Sequence, residues 1–334
     1  MLDILFYTLI SIVSFFLAKY LCSINIFLDL EIKKKQAIHN LNIPRSGGLI
    51  LFLNIMLSII FNNFFYEFIA LISVVFFIGF IDDYGIKIKP FKRFIILFFS
   101  IYIFVSFFEI TLRTTGISWI DALMLKYNLG FLIITICFLI LINGSNFIDG
   151  VNGNLTIHYF FLIVFIFFVN LENNYLNIFI YPTLISLAIF LIFNLKNKIF
   201  FGDGGAYLLG LILGILIIEM LNTNTQISPF FYLILTSYIG SEVLISFVRR
   251  FVKGTSTVNA DFGHFHQLLF SFFKKKKGLN PHLFTAATIN LIMILCIYPS
   301  FYFKNDFEVT RIYAIFLYVL ITLFFVMTKI FLKK

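Results

Sequence analysis

The sequence predicts an all-α fold, a polytopic transmembrane helical bundle of about ten or eleven spans with its N-terminus outside. Three observations carry this. The chain is 61% hydrophobic and only 12% charged, with a mean hydropathy of +1.01, outside the range of soluble globular chains. Apolar runs recur at lengths that cross the roughly 30 Å of bilayer hydrocarbon. Nothing shows the alternating ten-residue pattern of a barrel strand, so backbone groups in lipid must bond within their own segment as helices.

In order, the runs are Ile4 to Leu30, Gly48 to Phe61, Phe64 to Ile81, Phe94 to Phe108, Leu129 to Leu141, Leu155 to Val169, Leu176 to Phe193, Ala206 to Ile218, Phe230 to Val248, Phe284 to Tyr302 and Ile312 to Leu332. The shorter ones need tight packing or local bilayer adjustment. The first lacks a positive stretch before it and a small-residue cleavage site after it, so a retained helix is expected rather than a signal peptide. Residues 1–334 read as one membrane domain. The 49 Phe residues read as a compositional bias of the genome. Cys22, Cys137 and Cys296 fall inside runs without metal-type spacing, which predicts neither a disulfide framework nor a thiolate metal site.

The net charge of +9 is informative through its placement. Sorting alternate connections by side puts most of the 25 Lys and Arg residues on one side, around Lys33 to Arg45, Lys87 to Arg93, Lys196 to Lys198, Arg249 to Lys277 and the Lys333 end. That side is expected to be cytoplasmic. The other side holds little more than Arg113, Lys126, Lys304 and Arg311. The run Lys274 to Lys277 reads as attraction to anionic lipid, not as nucleic-acid binding.

The polar clusters share the basic side: residues 31–48, 82–93, 143–155, 196–205 and 249–282. Taken singly, each has an ordinary explanation as an orientation signal, a turn or a solvated helix end. Their coincidence argues otherwise, because Asp82, Asp83, Asp149, Asp203 and Asp261 are all the Asp residues of the internal connections on that side. Adjacent carboxylates beside a bilayer repel each other and lose hydration. A divalent cation relieves both penalties, and hard oxygen donors with few His and no suitably spaced Cys select Mg2+ or Mn2+ over Zn2+. The stretch "FFGDGGAY" puts a turn of little bulk before a helix, where backbone N–H groups favour an anion. No Gly-Lys-Ser/Thr follows, so it is not a Walker loop.

These motifs resemble those of the polyprenyl-phosphate N-acetylhexosamine-1-phosphate transferases, the glycosyltransferase-4 family, from Lys35 to Gln267. The early basic-His then Pro-Arg-x-Gly-Gly loop is matched by His39, Pro44, Arg45, Gly47 and Gly48, and the aspartate pair by Asp82 and Asp83. The pattern Asn-x-x-Asn-x-x-Asp-Gly is met by Asn143, Asn146, Asp149 and Gly150, and Gly-Asp-x-Gly by Gly202, Asp203 and Gly205. Arg249, Arg250, Gly254, Asp261, His264 and His266 match the last loop. Two departures stand out: Asn152 where many members carry a second Asp, and Gln267 where a further His is common. Pro44-Arg45 and the lack of a triple His favour the GlcNAc-1-phosphate branch over the pentapeptide branch.

The resemblance implies that undecaprenyl phosphate attacks the β-phosphorus of a UDP-N-acetylhexosamine, most simply UDP-GlcNAc, and releases UMP in an initiating step of cell-envelope polysaccharide synthesis at a bacterial inner membrane. It implies Mg2+ held by Asp203 with Asp83, and catalytic roles for Asp82, Asp83, Asp149 and His264. Asp82 is either a second ligand or the base toward the lipid phosphate. Arg45, Asn143, Asn146, Asn152, Arg249, Arg250 and His266 are implied to hold substrate. Asn143 competes with a helix-capping role, and Arg249 and Arg250 with plain inside-facing anchors. Asn152 leaves modified donors of the FucNAc, QuiNAc or bacillosamine type open. The rival from another class is a transporter or flippase, which predicts charges near span centres and two matching halves. A CDP-alcohol phosphatidyltransferase is a weaker rival, since its spaced Asp signature is missing.

Overall fold

The computed structural model describes residues 2–23, 43–170, 174–252, 254 and 263–332. Among these the chain is helical, with no strand. The helices are α1 (Leu2–Ser23), α2 (Gly48–Asn62), α3 (Phe68–Asp83), α4 (Pro90–Phe107), α5 (Ser118–Tyr127), α6 (Gly130–Ile148) and α7 (Asn154–Val169), followed by α8 (Asn177–Asn194), α9 (Gly202–Thr223), α10 (Pro229–Leu235), α11 (Ser237–Val252), α12 (Phe265–Lys274), α13 (Pro281–Ile297) and α14 (Phe307–Leu332). Local chemistry sets several starts. Proline opens α4, α10 and α13, where its missing N–H costs nothing. Asn280 Oδ1 accepts the N–H groups of His282 (3.1 Å) and Leu283 (3.3 Å) at the head of α13.

Among the described residues each of the eleven predicted runs lies mainly on helix, the first as far as Ser23, with its remainder outside the described residues. Among the described residues six helices are long and apolar enough to cross a membrane, or seven if α10 and α11 count as one span. The run Phe230 to Val248 is a correction, because it is broken at Thr236 into α10 and α11, bent by 72°. Thr236 Oγ1 bonds back to the Tyr232 carbonyl at 3.0 Å, and such back-bonding bends helices. The runs also gave no sign of α5 and α12. α5 buries no residue, and α12 is a short two-faced helix. The protein is a multi-pass, all-α membrane bundle.

α9 is buried along almost its whole length and packs against α3, α6 and α2. Helix contacts in lipid gain little from the hydrophobic effect and depend on close packing, which small residues permit. Gly79 of α3 meets Gly204 so closely that a Cβ would lie 2.5 Å from the Gly204 nitrogen. Gly48 of α2 meets Gly205 in the same way, and Gly210 backs onto Ile142 of α6. Hydrogen bonds add register: the Asn54 amide of α2 donates to Ser11 of α1, and to Ser186 Oγ of α8 at 2.6 Å. The consequence is that the ends of α2, α3, α6 and α9 are held at one end of the bundle.

Candidate active site

At that end Asp82 and Asp83 diverge. Asp83 is buried, at 4% exposure, and its carboxylate accepts the Asp203 N–H (2.9 Å) and the Gly204 N–H (3.0 Å), capping α9. Gly202 permits this with φ +82°, and a Cβ there would lie 2.5 Å from Asp83 Oδ2. The amides offered by sequence to an anion are therefore taken by Asp83. Asp82 stays nearer the surface. Its Oδ1 accepts the Ile88 N–H at 3.3 Å and its Oδ2 lies 3.2 Å from Arg93 Nη1. The same nitrogen donates to Asp203 Oδ2 at 2.7 Å. Arg93, in the first turn of α4, thus bridges α3 and α9, while its buried Nε–H finds no acceptor. Tyr207, one turn beyond Asp203, lies within charge range of Arg93, Asp82, Asp83 and Asp203.

Arg45 comes from the segment before α2. That segment is stitched to the chain entering α9 by Phe200 N–H to Pro44 O (2.7 Å), Gly47 N–H to Phe200 O (2.9 Å) and Gly48 N–H to Phe201 O (2.9 Å). It brings the Arg45 charge within range of Asp83, Asp149 and Asp203.

Asn143, Asn146 and Asp149 follow one another at three-residue steps along α6 and its end, all half-buried, so they share one face. Asn143 does not cap. It sits inside the helix with its amide donating to Leu139 O at 2.8 Å. The Asp149 carboxyl is pushed well above the usual carboxylate range, first by burial and then by Asp203, with Arg45 opposing. Asn152 lies beyond the helix end and faces elsewhere: its buried amide donates to Asn194 O (3.1 Å) and Asn197 Oδ1 (2.6 Å). The structure gives it a place in a turn, apart from Asn143 and Asn146.

The last cluster joins α11 and α12. Glu242, only 2% exposed, stands 2.9 Å from His264 Nδ1 with one oxygen and accepts the Phe265 N–H at 2.9 Å with the other. Gln267 Oε1 takes the His264 N–H at 3.3 Å. The His264 and His266 rings stack, with centroids 5.6 Å apart. His266 rests on Gly150, where a Cβ would overlap its Nε2, beside Asp149. Both of its ring nitrogens are buried without a partner, and burial foremost, then His264, pushes its pKa well below the usual imidazole value. Arg249 donates to Gly263 O. Arg250 lies 5.6 Å from the Phe147 ring centroid. Arg249 and Arg250 therefore hold different partners at the end of α11. His39, Lys253 and Asp261 lie outside the described residues.

Sequence reasoning missed two residues. Arg93 was read as an inside-facing anchor among lysines. Glu242 did carry a signal, because a lone carboxylate within an apolar run marks a functional position.

Among the described residues no three His, Cys, Asp or Glu side chains converge as a metal cage. Mg2+ asks for less, since it binds through one or two carboxylates plus substrate phosphates and water. Asp82 and Asp203 fit that role: they already converge on one cationic atom, Arg93 Nη1.

Fold and site together gather carboxylate, guanidinium and imidazole groups at one end of a membrane helical bundle. A family model described as Glycosyl transferase family 4 matches residues 65–221, the part of the chain that holds Asp82, Asp83, Arg93, Asn143, Asn146, Asp149 and Asp203. In that segment the chain is similar to this family, that of the polyprenyl-phosphate hexosamine-1-phosphate transferases. Arg45 and the Arg249 to His266 cluster lie outside the matched segment. No curated protein matches the chain.

Proposed function

We propose that the protein transfers N-acetylhexosamine 1-phosphate from a UDP-N-acetylhexosamine, UDP-GlcNAc first among them, to undecaprenyl phosphate, releasing UMP. An oxygen of the lipid phosphate bonds to the β-phosphorus, and the bond from that phosphorus to the bridging oxygen breaks. We place the reaction on the cytoplasmic face of a bacterial inner membrane, with the N-terminus outside, as the initiating step of a cell-envelope polysaccharide such as O-antigen. The asymmetry of Lys and Arg supports the orientation.

The observation that carries this reading is the convergence of Asp82, Asp203, Asp149, Arg45 and Arg93 at one bundle end. Phosphoryl transfer asks for positioning and charge neutralisation more than covalent chemistry. Asp203 and Asp82 would hold Mg2+ or Mn2+, which supplies neutralisation of the diphosphate. Asp83 fixes Asp203 by capping α9. Arg45 and Arg250 meet phosphate oxygens, which guanidinium groups grip bidentately. Asn143 and Asn146 line the nucleotide side, and Asp149 with His264 and His266 lines the acceptor side. Because the Asn152 amide is committed to the 194–197 turn, its difference from other members is a weak reason to prefer FucNAc, QuiNAc or bacillosamine-type donors.

The test is UMP release by purified protein in detergent with undecaprenyl phosphate, Mg2+ and a panel of UDP-N-acetylhexosamines. Lipid-dependent release is expected, with UDP-GlcNAc best and a loss of at least ~100-fold in Asp203→Ala, the scale for removing a group aimed at developing charge. Folded protein that releases no UMP from any donor would turn the reading to the transporter, whose one favourable observation is the broken α10–α11 pair.

A further inference from the structure

Resting on that reading, we propose that Arg93 is the resident counter-ion of the Asp82–Asp203 site, that a divalent cation must displace it, and that the diphosphate of the donor is what receives it. The geometry is specific. One nitrogen, Nη1, lies 2.7 Å from Asp203 Oδ2 and 3.2 Å from Asp82 Oδ2. A Mg2+ or Mn2+ ion held by these two carboxylates would draw on the same oxygens that Nη1 now engages, and would meet the guanidinium charge at close range. Ion and guanidinium therefore compete for the pair. The resident cation has a purpose, because two carboxylates at a partly desolvated helix junction repel when no cation is present. Arg93 removes that repulsion and ties the head of α4 to the head of α9.

Displacing Arg93 leaves its charge without a partner, so the cation alone binds poorly. A diphosphate changes this. Its oxygens offer a planar guanidinium a bidentate acceptor, and the Nε–H, buried and without an acceptor while Arg93 bridges the acids, gains one. Cation and diphosphate thus enter as a coupled pair, each raising the affinity for the other by the same factor. The consequence is that the metal site assembles only when donor is present.

The experiment measures Mn2+ binding by the full-length protein in detergent, reading the loss of the free-ion electron paramagnetic resonance signal, with and without UDP. In the unaltered protein UDP should tighten Mn2+ binding by ~10-fold or more, within the usual range of coupling between sites. Arg93→Met should bind Mn2+ alone ~10-fold more tightly, and the effect of UDP should shrink to under about threefold. Arg93→Gln serves as a second variant should the first fold poorly. Simple chelation of Mn2+ by UDP would enhance binding equally in the unaltered protein and the variants. That result, or an Arg93 variant that binds Mn2+ no better, overturns the proposal, as does an unaltered protein on which UDP has no effect. The transferase reading stands or falls separately, on lipid-dependent UMP release.

Discussion

The two halves of the site solve the problem of buried charge in opposite ways. At the α3–α4–α9 junction the charges are matched: Asp83 caps a helix, and Arg93 bridges Asp82 and Asp203. At the α6–α11–α12 junction they are not. Asp149 is held well above the ordinary carboxylate range and His266 well below the ordinary imidazole range, and both His266 ring nitrogens are buried without a partner. Groups left unsatisfied in a folded protein call for an explanation, and a site awaiting substrate is one. The matched half reads as a switchable charge pair, and the unmatched half as a surface prepared for a ligand.

Glu242 is the exception within the unmatched half, and removing it should have the largest effect on stability. It serves His264 and the Phe265 N–H at once. Glu242→Ala leaves both without an acceptor in a buried place, at a cost of about 1–3 kcal/mol for each group. A marked fall in melting temperature is expected, together with loss of activity. Glu242→Gln keeps one acceptor oxygen and should fall less. If Glu242→Ala melts with the unaltered protein, Glu242 is not what anchors α12.

How far the sequence reached follows the same division. The helices were legible because apolar runs of spanning length have few alternatives in lipid. The break at Thr236 was not, since a single threonine in an apolar run looks ordinary until its hydroxyl bonds backward. The acids of the matched half were legible as a set, but their division of labour was not. Whether Asp82 or Asp83 turns inward depends on how α3 meets α9, and that is set by the approach of Gly79 to Gly204 and by Gly202. Arg93 stood among Lys87, Lys89 and Lys92, where nothing in composition separates a site residue from an anchor. Asn152 falls off the face shared by Asn143, Asn146 and Asp149, because three-residue spacing keeps residues on one face only while the helix lasts. α6 ends at Ile148, and Gly153, with φ +81°, turns the chain away.

Asn152 offers a mid-sized effect that sharpens the comparison. Asn152→Asp sets a carboxylate against the acceptors Asn194 O and Asn197 Oδ1, in place of an amide that donates to both. The variant should lose ~1–3 kcal/mol of stability, the cost of an unmatched buried polar group. Asn152→Ala should melt somewhat lower than the unaltered protein yet rank the UDP-sugar donors in the same order. A changed order would return Asn152 to the substrate.

The smallest expected effect, and the one of opposite sign, belongs to Asp149. Because its folded pKa is raised above the unfolded value of about 3.9, the native state holds more protons than the unfolded chain between those two values. Its stability therefore improves as pH falls through the folded pKa and is poorest above it. Asp149→Asn removes that penalty, so at neutral pH the variant should melt higher, by the ~0.5–2 kcal/mol typical of a stabilising change. The gap should close as the solution is acidified. UMP release should fall in the same variant at every pH, since the charge that costs stability is the one offered to the reaction. In the matched half Asp203→Ala strips Arg93 of its closest partner, so activity should fall there without the gain in melting temperature. An Asp149→Asn variant that melts below the unaltered protein at neutral pH would show that the folded state already satisfies this carboxylate, and the contrast between the two halves would be lost.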